Sequence, residues 1–319
     1  MFRLPLSVVS PAGRRGRLSI MIFHRVQPCP DPLFPDLPDA AGFEARLRWV
    51  SSWFNVVPLA AGIEMLYGGR IPARALAITF DDGYADNEEI AAPILKRLGL
   101  TATFFVATGF LGSGCMWNDR IIEAIRAYRH DEIDLSAVGL GRLSLAGTEA
   151  KRRAIASLLL AIKDLEPDRR DAATDAIVSR AGAMPSPALM MKPEQVRRLR
   201  NSGMGIGAHT VTHPTLTRLG SESASAEMRE GKAALEDIVG ERVTLFAYPN
   251  GVPGKDYAAE HVVMARECGF DAALSTAWGA ATPSSDRFQL PRFTPWDQTR
   301  LRYGARLLAN VVRAREKTA

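Results

Sequence analysis

Two short stretches of this sequence concentrate side chains that could do chemistry together. The first is Ile78-Thr79-Phe80-Asp81-Asp82-Gly83-Tyr84, an apolar, β-prone run that stops at two adjacent carboxylates and a glycine. Neighbouring carboxylates repel each other, so both stay ionised beside a low-dielectric core only if a cation or strong donors lie close by. An isolated D-D-G serves equally well to cap a helix beginning near Asn87, and the local sequence leaves that reading open. The second stretch is His209-Thr210-Val211-Thr212-His213, directly after the run 203–208. Two imidazoles at this spacing lie on one side of a helical turn or tight loop. With one carboxylate they make a three-ligand metal set that leaves positions for water and substrate. Alone, H-x-x-x-H more often marks capping or packing histidines. The two stretches reinforce each other because each follows a candidate strand, and strand ends are where β/α barrels place catalysis.

The elements that must position these residues are short apolar runs alternating with helical stretches, a pattern of parallel strands joined by crossover helices. Strands are predicted at 19–23, 75–80, 103–107, 205–208, 244–247 and 272–274. Several lack polar alternation, as strands buried on both faces should. Helices are predicted at 88–98, 193–202, 223–239 and 257–268. The fold class is α/β, and a β/α barrel fits best. Residues 117–187 read differently, as amphipathic helices that include 151–165 and 169–181, with no strand among them. This is expected to be a helical insertion between the two chemical stretches, ending in the small-residue and proline loop 182–187. The five-proline segment 28–38 is also expected to be loop, overhanging one barrel face. Residues 1–319 are taken as one unit, with its core at about 75–292 and basic extensions at both ends.

Composition narrows the partners. Of the 319 residues 47% are hydrophobic and 24% charged, as in ordinary globular chains. The formal charge of +5 is matched by Arg3, Arg14, Arg15, Arg17 and Arg25, all ahead of the first acid. The remainder is nearly balanced, and no basic block interleaved with aromatics occurs, so nucleic acid is not an expected partner. Cys29, Cys115 and Cys268 are far apart and form no C-x-x-C, which implies neither a disulfide framework nor a thiolate zinc site. The apolar stretch 4–9 is short and interrupted by Pro5 and Ser7, a poor signal peptide. No apolar run approaches the roughly eighteen residues of a transmembrane helix. A cytoplasmic address is the expectation, with peripheral membrane association left open.

T-F-D-D-G followed by H-T-x-x-H resembles the polysaccharide deacetylase family, the NodB homology domain or carbohydrate esterase family four, over about residues 75–292. The resemblance implies a distorted (β/α) barrel with fewer than eight strands and a divalent ion, zinc first and cobalt or manganese as alternatives. It also implies removal of N-acetyl groups from sugars. Carried across, Asp81 becomes the general base, and Asp82, His209 and His213 the metal ligands. The residue types suit the reaction, because a bound divalent ion lowers the pKa of its water and polarises the acyl carbonyl. An adjacent carboxylate can then take the water proton.

Phe246-Ala247-Tyr248-Pro249-Asn250-Gly251 is similar to the family's F-R-x-P-x-G region. That register makes the Asn250 amide an oxyanion donor and puts Tyr248 with it at the substrate, although a turn set by Pro249 and Gly251 explains the same residues. Two positions depart from the family pattern. Ala247 stands where an arginine usually orients the base, and Leu290-Pro291-Arg292 stands where L-x-H usually supplies the acid. Arg292 cannot donate a proton at neutral pH. It is expected instead to orient Asp81, together with Asp271, unless it belongs to an ordinary surface pair.

Elimination among the five histidines leaves His24 as the candidate acid, since His130 lies in the insertion and His261 in a helix. Met-Ile-Phe-His-Arg-Val also resembles the M-x-Y-H-x-V opening of one deacetylase branch; the alternative is a histidine that merely closes the barrel. Trp117, Trp278 and Trp296 could stack on pyranose rings or simply pack. The favoured activity is hydrolysis of N-acetyl groups on a polysaccharide or oligosaccharide, such as a cell-surface exopolysaccharide. The alternatives are a deformylase or deacylase of a lipid-linked sugar or other non-peptide amide, and an inactive carbohydrate-binding barrel. The oligomeric state is left open.

Overall fold

The computed structural model describes residues 2–112, 114–163, 165–182, 189–313 and 317–319. Strands run β1 Leu18–Phe23, β2 Asn55–Val56, β3 Ala75–Phe80, β4 Thr103–Val106, β5 Glu132–Leu135, β6 Gly141–Ser144, β7 Gly205–Ala208, β8 Leu245–Ala247 and β9 Ala272–Leu274. Helices run α1 Arg3–Val9, α2 Ala40–Trp53, α3 Leu59–Tyr67, α4 Ala92–Arg97, α5 Trp117–Ala127, α6 Gly147–Lys163, α7 Pro167–Ala181, α8 Pro193–Asn201, α9 Ser221–Val239, α10 Ala259–Glu267 and α11 Arg300–Val312.

The main sheet is parallel in the order β1-β3-β4-β7-β8-β9, with β2 against the start of β3. It is a distorted β/α barrel. The gap between β9 and β1 is bridged by the extended segment 290–293, whose Leu290 pairs with Leu274 and whose Phe293 pairs with Met21. Side chains alternate across each strand. Leu18, Ile20, Ala75, Ala77, Phe105 and Leu274 fill one cluster inside the barrel. Met21, Leu76, Ile78, Phe80, Phe104 and Phe246 face the surrounding helices. All six residues of β1 and of β3 are buried, which is why these strands read as unbroken apolar runs.

The predicted helix at 88–98 is divided. A π-helical turn, Asn87–Ala91, runs into α4, because Pro93 has no amide hydrogen to continue an ordinary α-helical ladder.

The insertion needs a correction: it is not wholly helical. β5 and β6 form an antiparallel hairpin between α5 and α6, in the register Ile133 with Leu143. Four-residue strands give too little alternation to stand out among helix formers. The insertion has its own core of Ile121, Ile125, Ile133, Leu158, Ile162 and Ile177. Leu33 and Phe34 from the 28–38 loop join this core, and Arg126 grips Asp31 through two hydrogen bonds of 3.0 and 2.7 Å. The loop is thus tied to the insertion. Residues 183–187 of the expected proline loop lie outside the described residues. Among those described, no helix is long and apolar enough to cross a membrane.

Candidate metal and catalytic site

His24, Asp81 and His209 are the first residues past β1, β3 and β7, so three parallel strands deliver them to one end of the barrel. Together with Asp82, His213 and Asn250 they line a single cleft of about 400 Å3.

Asp81 continues the inward-facing phase of Ala75, Ala77 and Thr79. Its backbone N–H donates to the Phe23 carbonyl, which keeps it in register with β1. Arg292 donates to both carboxylate oxygens, at 2.6 and 2.8 Å, and its Nε donates to the Ser275 carbonyl at 3.1 Å. Both side chains are buried. Burial alone would raise the Asp81 pKa, but the charges of Arg292 and His209 outweigh it and hold Asp81 below the usual carboxylate range. Asp271 takes no part in this arrangement; it pairs with Arg242 at 2.8 Å on the exposed side of β9. Burial decides the difference, since only the barrel-closing segment can carry an arginine into the interior.

Asp82 adopts a left-handed backbone, φ 75°, and its carboxylate and that of Asp81 both approach His209 Nε2, at 3.5 and 3.7 Å. Asp82 Oδ1 lies 3.5 Å from His209 Nε2 and 3.4 Å from His213 Nε2. That oxygen is buried without a hydrogen-bond partner. One ligand atom from each of the three residues falls within 4.8 Å of the others. Two imidazole nitrogens and a carboxylate oxygen around an unsatisfied buried acceptor suit a divalent cation such as zinc.

The ring chemistry agrees with this. His209 Nδ1 is 2.7 Å from the Ala247 carbonyl, which can only accept. Nδ1 therefore carries the hydrogen and Nε2 turns a lone pair towards Asp82. Burial pulls the His209 pKa down, but Asp81 and Asp82 outweigh it and raise it. The pocket therefore favours a positive charge between these groups, whether proton or metal ion. Burial pushes His213 down to about 4, so its imidazole is neutral and free to ligate near pH 7.

The loop carrying both histidines is held from outside the barrel. Glu227 on α9 accepts from the Val211 and Thr212 amides, each at 2.8 Å, and from the Thr212 hydroxyl at 2.6 Å. A β-carbon at Gly231 would come within 2.8 Å of the Thr210 carbonyl, so glycine lets α9 approach this loop. Asp82, Thr210, His213 and Asn250 all have positive φ, and such strain persists only where the surroundings enforce it. Glu227→Ala should weaken divalent-metal affinity by about 10–100-fold while leaving the fold intact. A metal titration with unchanged affinity would remove Glu227 from this role.

His24 is exposed in the cleft wall. Asn87 Nδ2 donates to its carbonyl at 2.8 Å, and Asp86 ties down the next two residues through Arg25 Nε at 2.8 Å and the Val26 amide at 3.2 Å. Asn250, at φ 58°, has an amide N–H with no acceptor among the described residues, and its carbonyl accepts from the Thr276 hydroxyl at 2.8 Å. Trp117 also lines the cleft. Tyr248 does not, and its assignment to the substrate is corrected. It is fully buried, stacks on Tyr257 with ring centres 3.9 Å apart, and donates to the Phe288 carbonyl. Tyr248 continues the outward phase of Phe246, towards the helices, whereas Asn250 lies past the end of β8 in a left-handed turn that brings it to the cleft. Trp278 and Trp296 pack on each other, outside the cleft lining.

Sequence reasoning missed Glu227, Thr276, Lys163 and Arg170. An acid or a base on an amphipathic helix looks like solvated surface, and a single threonine just past a short strand looks like loop, so no local signal distinguishes these.

A family model described as polysaccharide deacetylase matches residues 68–273, more than half of the chain. YxkH of Bacillus subtilis (strain 168), named for the same family, is 20% identical over 279 residues, covering 87% of this chain and 71% of its own. The chain is similar in structure to the Streptococcus pyogenes deacetylase PplD, with a TM-score of 0.58, 18% identity and coverage of 87% of this chain and 92% of that one. It is likewise similar to IcaB from Ammonifex degensii, with a TM-score of 0.58, 17% identity and coverage of 92% and 98%. At such identities the likeness to solved structures is one of fold.

Proposed function

The chain belongs to the polysaccharide deacetylase family, and from that premise we propose that it hydrolyses the amide of N-acetylated sugars, with a divalent ion held by Asp82, His209 and His213. The observation that carries this reading is the unsatisfied Asp82 oxygen facing two imidazole nitrogens, beside a carboxylate clamped by arginine. When bound, the ion supplies a water of lowered pKa and a Lewis acid for the acyl oxygen.

The protein's own groups do the rest. Asp81, held ionised by Arg292, takes a proton from the water that adds to the acyl carbon. The free Asn250 amide donates to the oxygen that becomes negative. His24, on the exposed wall, gives its proton to the sugar nitrogen as the C–N bond breaks, so that acetate and a free amine leave.

The test is release of acetate, against formate as a control, from a panel of N-acylated glucosamine oligomers by the metal-loaded protein. No acyl release from any of them would overturn the reading. His24→Ala should lower kcat by about 10²-fold or more with metal content unchanged, the usual contribution of a positioned acid. Near-normal turnover would remove His24 from the mechanism.

A further inference from the structure

The inner end of the cleft is occupied by the groups above, yet its mouth is built by the insertion, and there the charge changes sign. α6 and α7 bring Lys163 and Arg170 into the same wall, beside Trp117 and Leu160. Arg170 is only 6% exposed and its Nε is buried without a hydrogen-bond partner. The nearest carboxylate oxygen, on the largely exposed Asp171, stands 3.8 Å from that nitrogen, beyond hydrogen-bond reach. Glu227, the other acid acting on Arg170, is committed to Val211 and Thr212. The guanidinium lies over the Trp117 ring at 5.4 Å. Lys163 Nζ has no hydrogen-bond or ion-pair partner among the described residues. Asp81 and Asp82 are the only acids lining the cleft among those residues, and Asp81 is clamped by Arg292 while Asp82 faces His209 and His213.

Two like charges that share a wall, one of them buried with an unsatisfied Nε, add their repulsion to the cost of burying a poorly paired cation, and a negative group arriving between them relieves both. Burial already depresses the Arg170 pKa, with Asp171 and Glu227 offsetting it only in part. We propose that Lys163, Arg170 and Trp117 form a subsite for an anionic group, so that the substrate is an N-acetylated sugar bearing a phosphate or carboxylate next to the reacting residue. The aromatic face suits the ring, and the two cations suit a delocalised oxyanion. The inference deepens the deacetylase reading and rests on it for turnover, but not for binding.

The experiment uses metal-loaded full-length protein and three probes: N-acetylglucosamine 1-phosphate, an N-acetylglucosaminyl-glucuronate disaccharide, and neutral N,N′-diacetylchitobiose. The wild type should favour one or both anionic probes in kcat/KM. Lys163→Gln, at a partly exposed position, should lower the anionic-to-neutral ratio by about tenfold. The phosphate and uronate arms show which anion is preferred. No preference, or a preference untouched by Lys163→Gln, overturns the proposal. Should no probe be turned over, the deacetylase reading fails and calorimetric binding of N-acetylglucosamine 1-phosphate decides the subsite. Binding weakened about tenfold in the variant supports it. Equal binding means that the anion sits on the metal triad instead, and overturns it.

Discussion

Asp82→Asn is expected to release the divalent ion and to lower acetate release by about 10³-fold or more. Asparagine keeps the shape of the side chain and tolerates the left-handed backbone at this position, so the barrel should fold as before. What is lost is the negative charge that two neutral imidazoles cannot replace. Lewis-acid stabilisation is worth several kcal/mol, and each ~1.4 kcal/mol is tenfold in rate. Metal analysis of the purified variant, read beside its circular dichroism, separates ion loss from misfolding. A variant that keeps stoichiometric metal and wild-type turnover would mean that the three residues do not share an ion.

Arg292→Met should damage both stability and turnover, because it strands Asp81. The pair is buried on both sides, and removing one partner of a buried ion pair costs about 3–5 kcal/mol at neutral pH. The sign with pH follows from the depressed Asp81 pKa. A carboxylate stabilised in the folded state contributes above its unfolded pKa of about 3.9 and loses that contribution as pH falls through the folded value. In the variant Asp81 titrates higher, because burial is no longer opposed by the guanidinium. The stability gap between wild type and variant should therefore be largest at neutral pH and narrow towards acid, as measured by urea unfolding. The acid limb of the rate profile should move to higher pH, with kcat near neutrality down by about 10²-fold, the share of a positioned base. Arg292→Lys keeps the charge but loses the two-pronged contact and should fall between the two. Equal unfolding free energies for wild type and Arg292→Met across the pH range would show that the contact does not hold Asp81 ionised.

How far each feature could be read from the chain depends on whether its cause is local. The six main strands were legible because strands buried on both faces need unbroken apolar runs, and 75–80, 205–208 and 272–274 coincide with observed strands to the residue. Asp81, Asp82, His209 and His213 were legible because each carries a chemically distinctive functional group at or just past the end of such a run. The hairpin of β5 and β6 was not, since two four-residue strands are stabilised by pairing with each other and by a core drawn from α5, α6 and α7. Tyr248 was misplaced because which face a side chain takes depends on strand twist and neighbours, not on distance from Asn250 along the chain.

By itself, then, the sequence determined the repeating strand pattern and the chemical character of the D-D and H-x-x-x-H groups, both written in residue types at short range. Only the tertiary structure decided between the two readings of Arg292, placing it on the Asp81 carboxylate and not in a surface pair. The segment 290–293 reaches Asp81 solely by closing the barrel between β9 and β1. The same holds for Glu227 behind the histidine loop and for Lys163 and Arg170 at the cleft mouth. Charges on helices gain meaning from what they are packed against, and packing is a property of the folded whole.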